Sequence, residues 1–547
     1  MQLRSGPILA VILLAAASTA NAAVLHVPAQ YPTIQDGVDA AQPGDSVLVA
    51  AGTFSDLVQP PGTDTTKCVV NMKPDISLIG AGIGQTFIDP DSLGRGIYCQ
   101  NVPAAHIEGF TITRAYAAVF GAGIYCLEGS SPTITDCELT GCGDGGLICN
   151  FASNPEVTDS QVHGNAGKQG GGIECQNNSG PTLRRCTITG NQAPLGGGFY
   201  IRGGTALLED CQINDNFLNT SAGSGGGLDV DTAELTLLRC EVHGNVSSGI
   251  GGGISLNNAT LIIEDSSVID NATTGNSGNG GGLYAEFADV VMDGCAVAGN
   301  SCPGGNADGG GLYLFFTLGA GSSISNSTIA DNATHVGGDG AGIYAYETNP
   351  IIENTIIAFN QNGKGLHCEG SSAFSVACSD LFGNSGGDLI CGTDLGDNFS
   401  ADPLFCDLAS LDLTLHVDSP CLDNQHPGGA PCGPIGAYGL GICDGIGVPQ
   451  EENAVPPPTR LIAAPNPFGR STTIQFGLAR AARVWLAIYD VGGRTIRVLE
   501  DRVLEAGLHE RVWDGRDAAG QVMPSGVYFY QLGGDLPHTA GRIVLTR

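Results

Sequence analysis

GGGIECQNNSGPTLRRCTITGN, residues Gly170 to Asn191, decides the fold, because both of its halves recur at a regular distance up and down the chain. The glycine-led half returns eleven times: GRGIYC at 94, GAGIYC at 121, DGGLIC at 144, GGGIEC at 170, GGGFYI at 196, GGGLDV at 225, GGGISL at 251, GGGLYA at 280, GGGLYL at 309, GAGIYA at 340 and GKGLHC at 363. Its third position advances in steps of 23 to 31 residues, a period that belongs to a solenoid. The second half, CTITGN at 186, has counterparts in CQINDN at 211, CEVHGN at 240 and CAVAGN at 295, and Ser- or Thr-led ones such as SQVHGN at 160 and SSVIDN at 266. Both halves alternate with period two, which is a strand signal. A Pro-Thr-apolar lead-in, SPTITDC at 131 and GPTLRRC at 180, supplies a third strand. Three short strands per unit with Gly- and Asn-rich corners make each unit one coil of a parallel β-helix. Parallel crossovers are nearly always right-handed, so the coil is expected to wind that way.

Stacking turns the repeat into columns of side chains ~4.8 Å apart. The Asn closing the second half stands at 165, 191, 216, 245, 271, 300, 332, 360 and 384, and one carboxamide can donate to the next in a ladder that satisfies the corner. Cys99, Cys126, Cys149 and Cys175 form one inward column, and Cys186, Cys211 and Cys240 another. Their parallel Cβ vectors suit free core thiols better than disulfides. Bridges are expected instead in the irregular late cluster Cys391, Cys406, Cys421, Cys432 and Cys443.

The N-terminus, MQLRSGPILAVILLAAASTANA, has a basic start, a short apolar stretch and a small-residue cleavage site, which reads as a secretory signal over residues 1–22 and an exported, cell-surface destination. No later stretch approaches the ~20 apolar residues of a membrane span. Formal charge is −33: residues 460–547 carry +3 and the remainder −36. An acidic rod of this kind disfavours nucleic acid as a partner. A Pro-rich spacer, 446–460, separates the solenoid of residues 23–445 from a segment, 461–547, whose alternating runs and Gly-Gly turns argue a small β-sandwich. The expected class is therefore all-β: a right-handed parallel β-helix of about eleven glycine-anchored coils plus caps, then a C-terminal β-sandwich.

YPTIQDGVDAAQPGDSVLVAAGTF, from Tyr31, with Thr33 before apolar Ile34, Val38 and Ala41, resembles the N-terminal cap helix and opening coil of pectin-lyase-like right-handed β-helix proteins. The Gly-Gly-Gly-Ile-Tyr and Cys-x-Ile-x-Gly-Asn phrases resemble that superfamily's repeats, over about residues 24–445. The order PNPF, YDVGGR, WDGRDAAGQVMPSGVYFY and a basic-ended last strand is similar to type IX secretion sorting domains and to immunoglobulin-like domains of flagellar hook-assembly type. That resemblance implies an export and attachment role, with outer-membrane secretion machinery as the partner. The signatures of pectate lyases, polygalacturonases and pectin methylesterases do not carry over, for the chain has no Asp-Asp, Gly-His-Gly or Asn-Thr-Asp segment.

The glycine-led strand offers its outward face instead. Positions two and four after the third glycine include Glu174, Tyr200, Asp229, Tyr284, Tyr313 and Tyr344 in one column, and Arg202, Asp231, Glu286 and Tyr346 in the next. Tyr200, Arg202, Tyr284, Glu286, Tyr313, Tyr344 and Tyr346 are the expected sugar-binding residues, with rings stacking on apolar sugar faces. Glu174 and Asp229, two coils or roughly 10 Å apart, and Asp231 are the candidate catalytic carboxylates, at a spacing near that of inverting glycoside hydrolases. Asp229 and Asp231, with Asp215 nearby in sequence, are also a candidate calcium set; no other cofactor is expected. Two functions stay open: a surface-associated polysaccharide-binding, adhesive or structural rod, and a polysaccharide lyase or glycoside hydrolase.

Overall fold

A computed structural model describes residues 22–443, apart from 63–64, 118–120, 221–222, 317–320, 430 and 442, and most of 462–545. Residues 1–21 of the expected signal and the whole expected linker, 446–460, lie outside the described residues. The chain divides into two units, Met1–Asp444 and Gly445–Arg547.

The first unit is a parallel β-solenoid built from three long sheets of 15, 12 and 13 strands, each stacking strands from successive coils. The 12-stranded sheet runs from Cys68–Asn71 to Leu366–Glu369 and contains every glycine-led phrase. Register holds without slippage there: Ile97, Ile124, Leu147, Ile173 and Phe199 align in turn, and so do Cys99, Cys126, Cys149 and Cys175. A one-residue slip would expose the whole apolar column, which is why the alternation specifies register so firmly. A fourth sheet of six two-residue strands, from Gln192–Ala193 to Ala333–Thr334, follows the Asn corner of the middle coils; such short runs carry no periodicity to read.

The Asn ladder forms. Asn165 Nδ2 donates to Asn191 Oδ1 at 3.0 Å, and the same bond repeats through Asn216, Asn245, Asn271, Asn300, Asn332, Asn360 and Asn384. Asn384 in turn donates to Asp388 Oδ1 at 2.7 Å, which closes the series. At the front, Thr33 caps the helix Ile34–Ala40 in a reciprocal capping box with Asp36, and Ile34 and Val38 are buried over the first coil. This covers the open end of the stack.

Three disulfides join Cys368 to Cys391, Cys378 to Cys432 and Cys406 to Cys443. Thus four members of the late cluster are bridged, while Cys421 is a buried free thiol, contrary to expectation. Cys368 and Cys378, from the last coils, take the remaining places, because the terminal coils lack a following rung and the bridges tie them to the closing segment. Both inward thiol columns are free and buried.

The second unit is a sandwich of two antiparallel sheets: Ile462–Ala464, Thr472–Leu478 and Gly507–Trp513 in one, and Thr495–Leu504, Ala482–Asp490, Gly526–Gly534 and Thr539–Leu545 in the other. Trp513, Phe476, Ile488 and Ile543 are fully buried between them. No helix among the described residues is long and apolar enough to cross a membrane.

Candidate functional site

The two outward columns of the 12-stranded sheet are aligned as the repeat requires. Glu174, Tyr200, Asp229, Ser255, Tyr284, Tyr313, Tyr344 and His367 follow one another rung by rung, and Arg202, Asp231, Asn257, Glu286, Phe315, Tyr346 and Glu369 run beside them. Their exposure departs from expectation. The first column is covered: Glu174 is 5% exposed, Tyr200 2%, Asp229 4%, Tyr284 and Tyr313 8% and Tyr344 4%.

The cover is the chain's own glycine corner. Gly225, at φ +66°, doubles back so closely that a Cβ there would lie 2.1 Å from Leu228 O and 2.9 Å from Asp229 Cα. Period two places these side chains outward from the helix, but the preceding corner folds over them, so outward and solvent-facing are different properties here.

Within this enclosed column the carboxylates have protein partners. Ser224 Oγ donates to Asp229 Oδ2 at 2.7 Å, and Gln176 Nε2 donates to Glu174 Oε1 at 2.6 Å. Burial pushes both acids up to about 7, because the charged form loses its hydration. Tyr200, aligned between them, is raised to about 12 by burial and by the neighbouring charge of Asp229. Asp231 is half-buried and engaged by Arg202, whose Nε lies 3.2 Å from its Oδ2, and by Thr232, whose hydroxyl donates to Oδ1 at 2.7 Å.

These partners bear on the calcium candidate. Arg202 occupies the side of Asp231 that a cation would take, and Asp215 lies in the Gly–Asn corner beside Gly244. Among the described residues, the only group of three ligating side chains close enough to hold a metal is Cys378, Asp397 and Cys432, and its two sulfurs are bonded to each other.

The aromatic expectation changes in the same way. Tyr284, Tyr313, Tyr344 and His367 stack on one another, with successive centroids 5.3, 4.6 and 5.0 Å apart and interplanar angles of 11°, 5° and 13°. Their ring faces are used internally and none is offered to a sugar. Ring surface is offered one column over, where Phe315 and Tyr346 are half-buried and stack at 5.0 Å. Phe287 and Phe316 complete the patch, with Phe287 39% exposed. These two residues escaped the sequence reading because they follow the strand in left-handed conformation, at φ 49° and 48°. The available signal was a Phe on two successive coils at a turn position that several other coils fill with Asn or Gly, as at Asn258 and Gly370.

Residues 95–261 and 227–398 match the family described as right handed beta helix region, and residues 466–534 match the FlgD Ig-like domain. Among solved structures the chain is similar to pectate lyase Pel9A, at 15% identity and TM-score 0.34, covering 77% of this chain and 97% of that one. It is also similar to tailspike protein 2 from Escherichia coli O157:H7 bacteriophage CAB120, at 10% identity and TM-score 0.33 over 96% of this chain and 68% of that one. A third is the A-module of the Azotobacter vinelandii mannuronan C-5 epimerase AlgE6, at 11% identity and TM-score 0.29 over 68% and 94%. No curated protein matches the sequence.

Proposed function

The chain belongs to the right-handed β-helix family, and from that premise we propose that it is an exported, cell-surface protein that binds polysaccharide along the second outward column of its glycine-led sheet, without turnover. One observation carries this reading: side chains with sugar-binding chemistry are accessible, whereas the carboxylates needed for hydrolysis are shut behind the glycine corner. Arg202, Asn257, Phe287 and Glu369 are exposed, and Phe315, Tyr346, Glu286 and Asp231 are half-buried, along one continuous strip. Glu174 and Asp229 are at most 5% exposed and held by Gln176 and Ser224. Aromatic rings bordered by carboxylates suit a sugar, whose apolar face stacks and whose hydroxyls donate. The C-terminal immunoglobulin-like unit is assigned to export and attachment through the outer-membrane secretion machinery.

A second reading, glycoside hydrolysis, is favoured by the raised pKa values: carboxyl groups titrating near 7 are what a general acid requires. The two readings separate in one experiment. Mature protein is incubated with soluble polysaccharides, and both binding and new reducing ends are measured. Binding that is lost in Phe315→Ala with Tyr346→Ala, with no product formed, supports the proposal. Product formation abolished by Glu174→Gln or Asp229→Asn establishes hydrolysis instead.

A further inference from the structure

We infer that the polysaccharide bound at the aromatic end of this strip is an amine-bearing, β-linked glycan of the glucosamine type, an inference that rests on the glycan-binding reading above. The argument begins with the rings. Phe287, Phe315, Phe316 and Tyr346 form one cluster in which Phe315 meets Phe316 edge-on at 4.6 Å and 82°, and Phe316 meets Tyr346 at 5.5 Å and 72°. Phe287 and Phe316 stack at 5.4 Å and 11°. The rungs beneath are ~4.8 Å apart, close to the length of one pyranose ring, so a chain running along the helix axis brings successive sugars over successive rungs.

Charge then selects among glycans. Three carboxylates border the rings: Glu286 below, Glu347 and Glu369 above, on strand and turn positions adjacent in register. Each accepts from a hydroxyl, buried for Glu286 and Glu369 and exposed for Glu347. Tyr284 donates to Glu286 at 3.3 Å, Tyr344 donates to Glu369, and Ser371 donates to Glu347. The buried tyrosine stack thus positions the rim of the exposed patch.

Segments 283–288, 312–316, 343–348 and 366–371 contain no Lys or Arg. Lys364, the nearest in sequence, lies 3.7 Å from Asp339 and beside His367. Fixed negative charge around exposed ring faces is the arrangement that recognises an ammonium group, through ion pairing and cation–π attraction together. A polyuronate meets like charge at the same place, and a neutral glycan gains the stacking without the ion pairs.

The test titrates the full mature protein with hexaglucosamine, its fully N-acetylated counterpart, cellohexaose and hexagalacturonate, by calorimetry at low and moderate salt. Hexaglucosamine is expected to bind at least ~10-fold tighter than cellohexaose or the acetylated form, equivalent to ~1.4 kcal/mol, with no binding of hexagalacturonate. The preference should shrink with salt and vanish in Glu286→Gln/Glu347→Gln/Glu369→Gln, leaving a weak ring-dependent affinity that Phe315→Ala/Tyr346→Ala removes. All these positions are half-buried or exposed, and circular dichroism with a melting curve checks that each variant is folded.

Equal affinity for amine and neutral glycans overturns the inference and leaves glycan binding standing. Amine binding that survives the patch variants assigns it to the general acidity of the rod and also overturns it. No binding of any glycan overturns both readings.

Discussion

On the nine coils from Gly146 to Gly365 the third glycine of the triplet and the asparagine of the corner meet directly. A Cβ on Gly253 would fall 2.9 Å from the Asn271 side chain and 2.7 Å from Gly282 O. The glycine is there to let the backbone lie on the carboxamide. Asn271 in turn accepts from Asn245 N at 3.0 Å and from Asn245 Nδ2 at 2.9 Å, and donates to Val242 O at 2.9 Å and Asn300 Oδ1 at 3.0 Å. Removing it strands several buried polar groups, each of which costs ~1–3 kcal/mol when unpaired. Asn271→Ala is therefore expected to destabilise the solenoid by about 3 kcal/mol in denaturant titration, and Gly253→Ala by about 1–3 kcal/mol through overpacking. A loss under ~0.5 kcal/mol, typical of a surface change, would contradict the ladder's role.

The enclosed acids give stability a pH dependence of definite sign. Burial raises Asp229 from 3.8, Glu174 from 4.5 and Asp380 from 3.8, each to about 7. The native state thus keeps protons that the unfolded chain has released between about pH 4 and 7. The stabilisation is complete below the unfolded values and lost as pH rises through 7. Unfolding free energy should fall between pH 5 and pH 8, by about 2–3 kcal/mol for each such group. Asp229→Asn should remove its share of the slope; an unchanged slope would mean the carboxyl is hydrated.

Elements show how far the sequence could be read. Period-two alternation and the glycine step were enough for the coils, register, Asn ladder and thiol columns, because each is dictated by what stacks on what. The six-stranded sheet was not legible, since two-residue strands such as Phe217–Leu218 leave no pattern. The candidate strip was half legible: alternation placed Tyr284 and Tyr346 on the same outward side, but their different burial arises from the path of the corner before the strand. The bridges to Cys368 and Cys378 were missed because pairing in the closing segment depends on tertiary path. Inside the coils the thiols lie in register where no bridge forms, and burial drives Cys137, Cys142, Cys295 and Cys302 up to about 12. Iodoacetamide at pH 8 should modify none of the 13 free thiols of the native protein, all 13 after denaturation, and all 19 cysteines after denaturation with reductant. Rapid native alkylation of any coil cysteine would show that its coil opens locally.

At the scale of the whole molecule, the chain forms two units with separate cores. The solenoid's apolar column and the sandwich's Trp513-centred core are distinct clusters, so each has the means to fold alone. The charge is divided too, with the excess of acid confined to the solenoid side of residue 460. Several of the solenoid's few cations are tied to carboxylates: Arg114 to Asp89, Arg184 to Glu156 and Glu209, Arg185 to Asp159, and Arg239 to Asp210. Such pairs add little stability at the surface, but they leave the solenoid's field acidic. The other unit carries +3 between residues 460 and 547 and matches an immunoglobulin-like family, and under the function proposed above it is the unit that carries export. Deleting residues 460–547 should leave a folded solenoid with unchanged melting behaviour and unchanged glycan affinity, yet trap it in the periplasm, as fractionation of the producing cell would show. Because the truncated protein keeps its own core, retention would report a lost address and not misfolding; surface display of the truncation at the full-length level would remove the C-terminal unit from the export route.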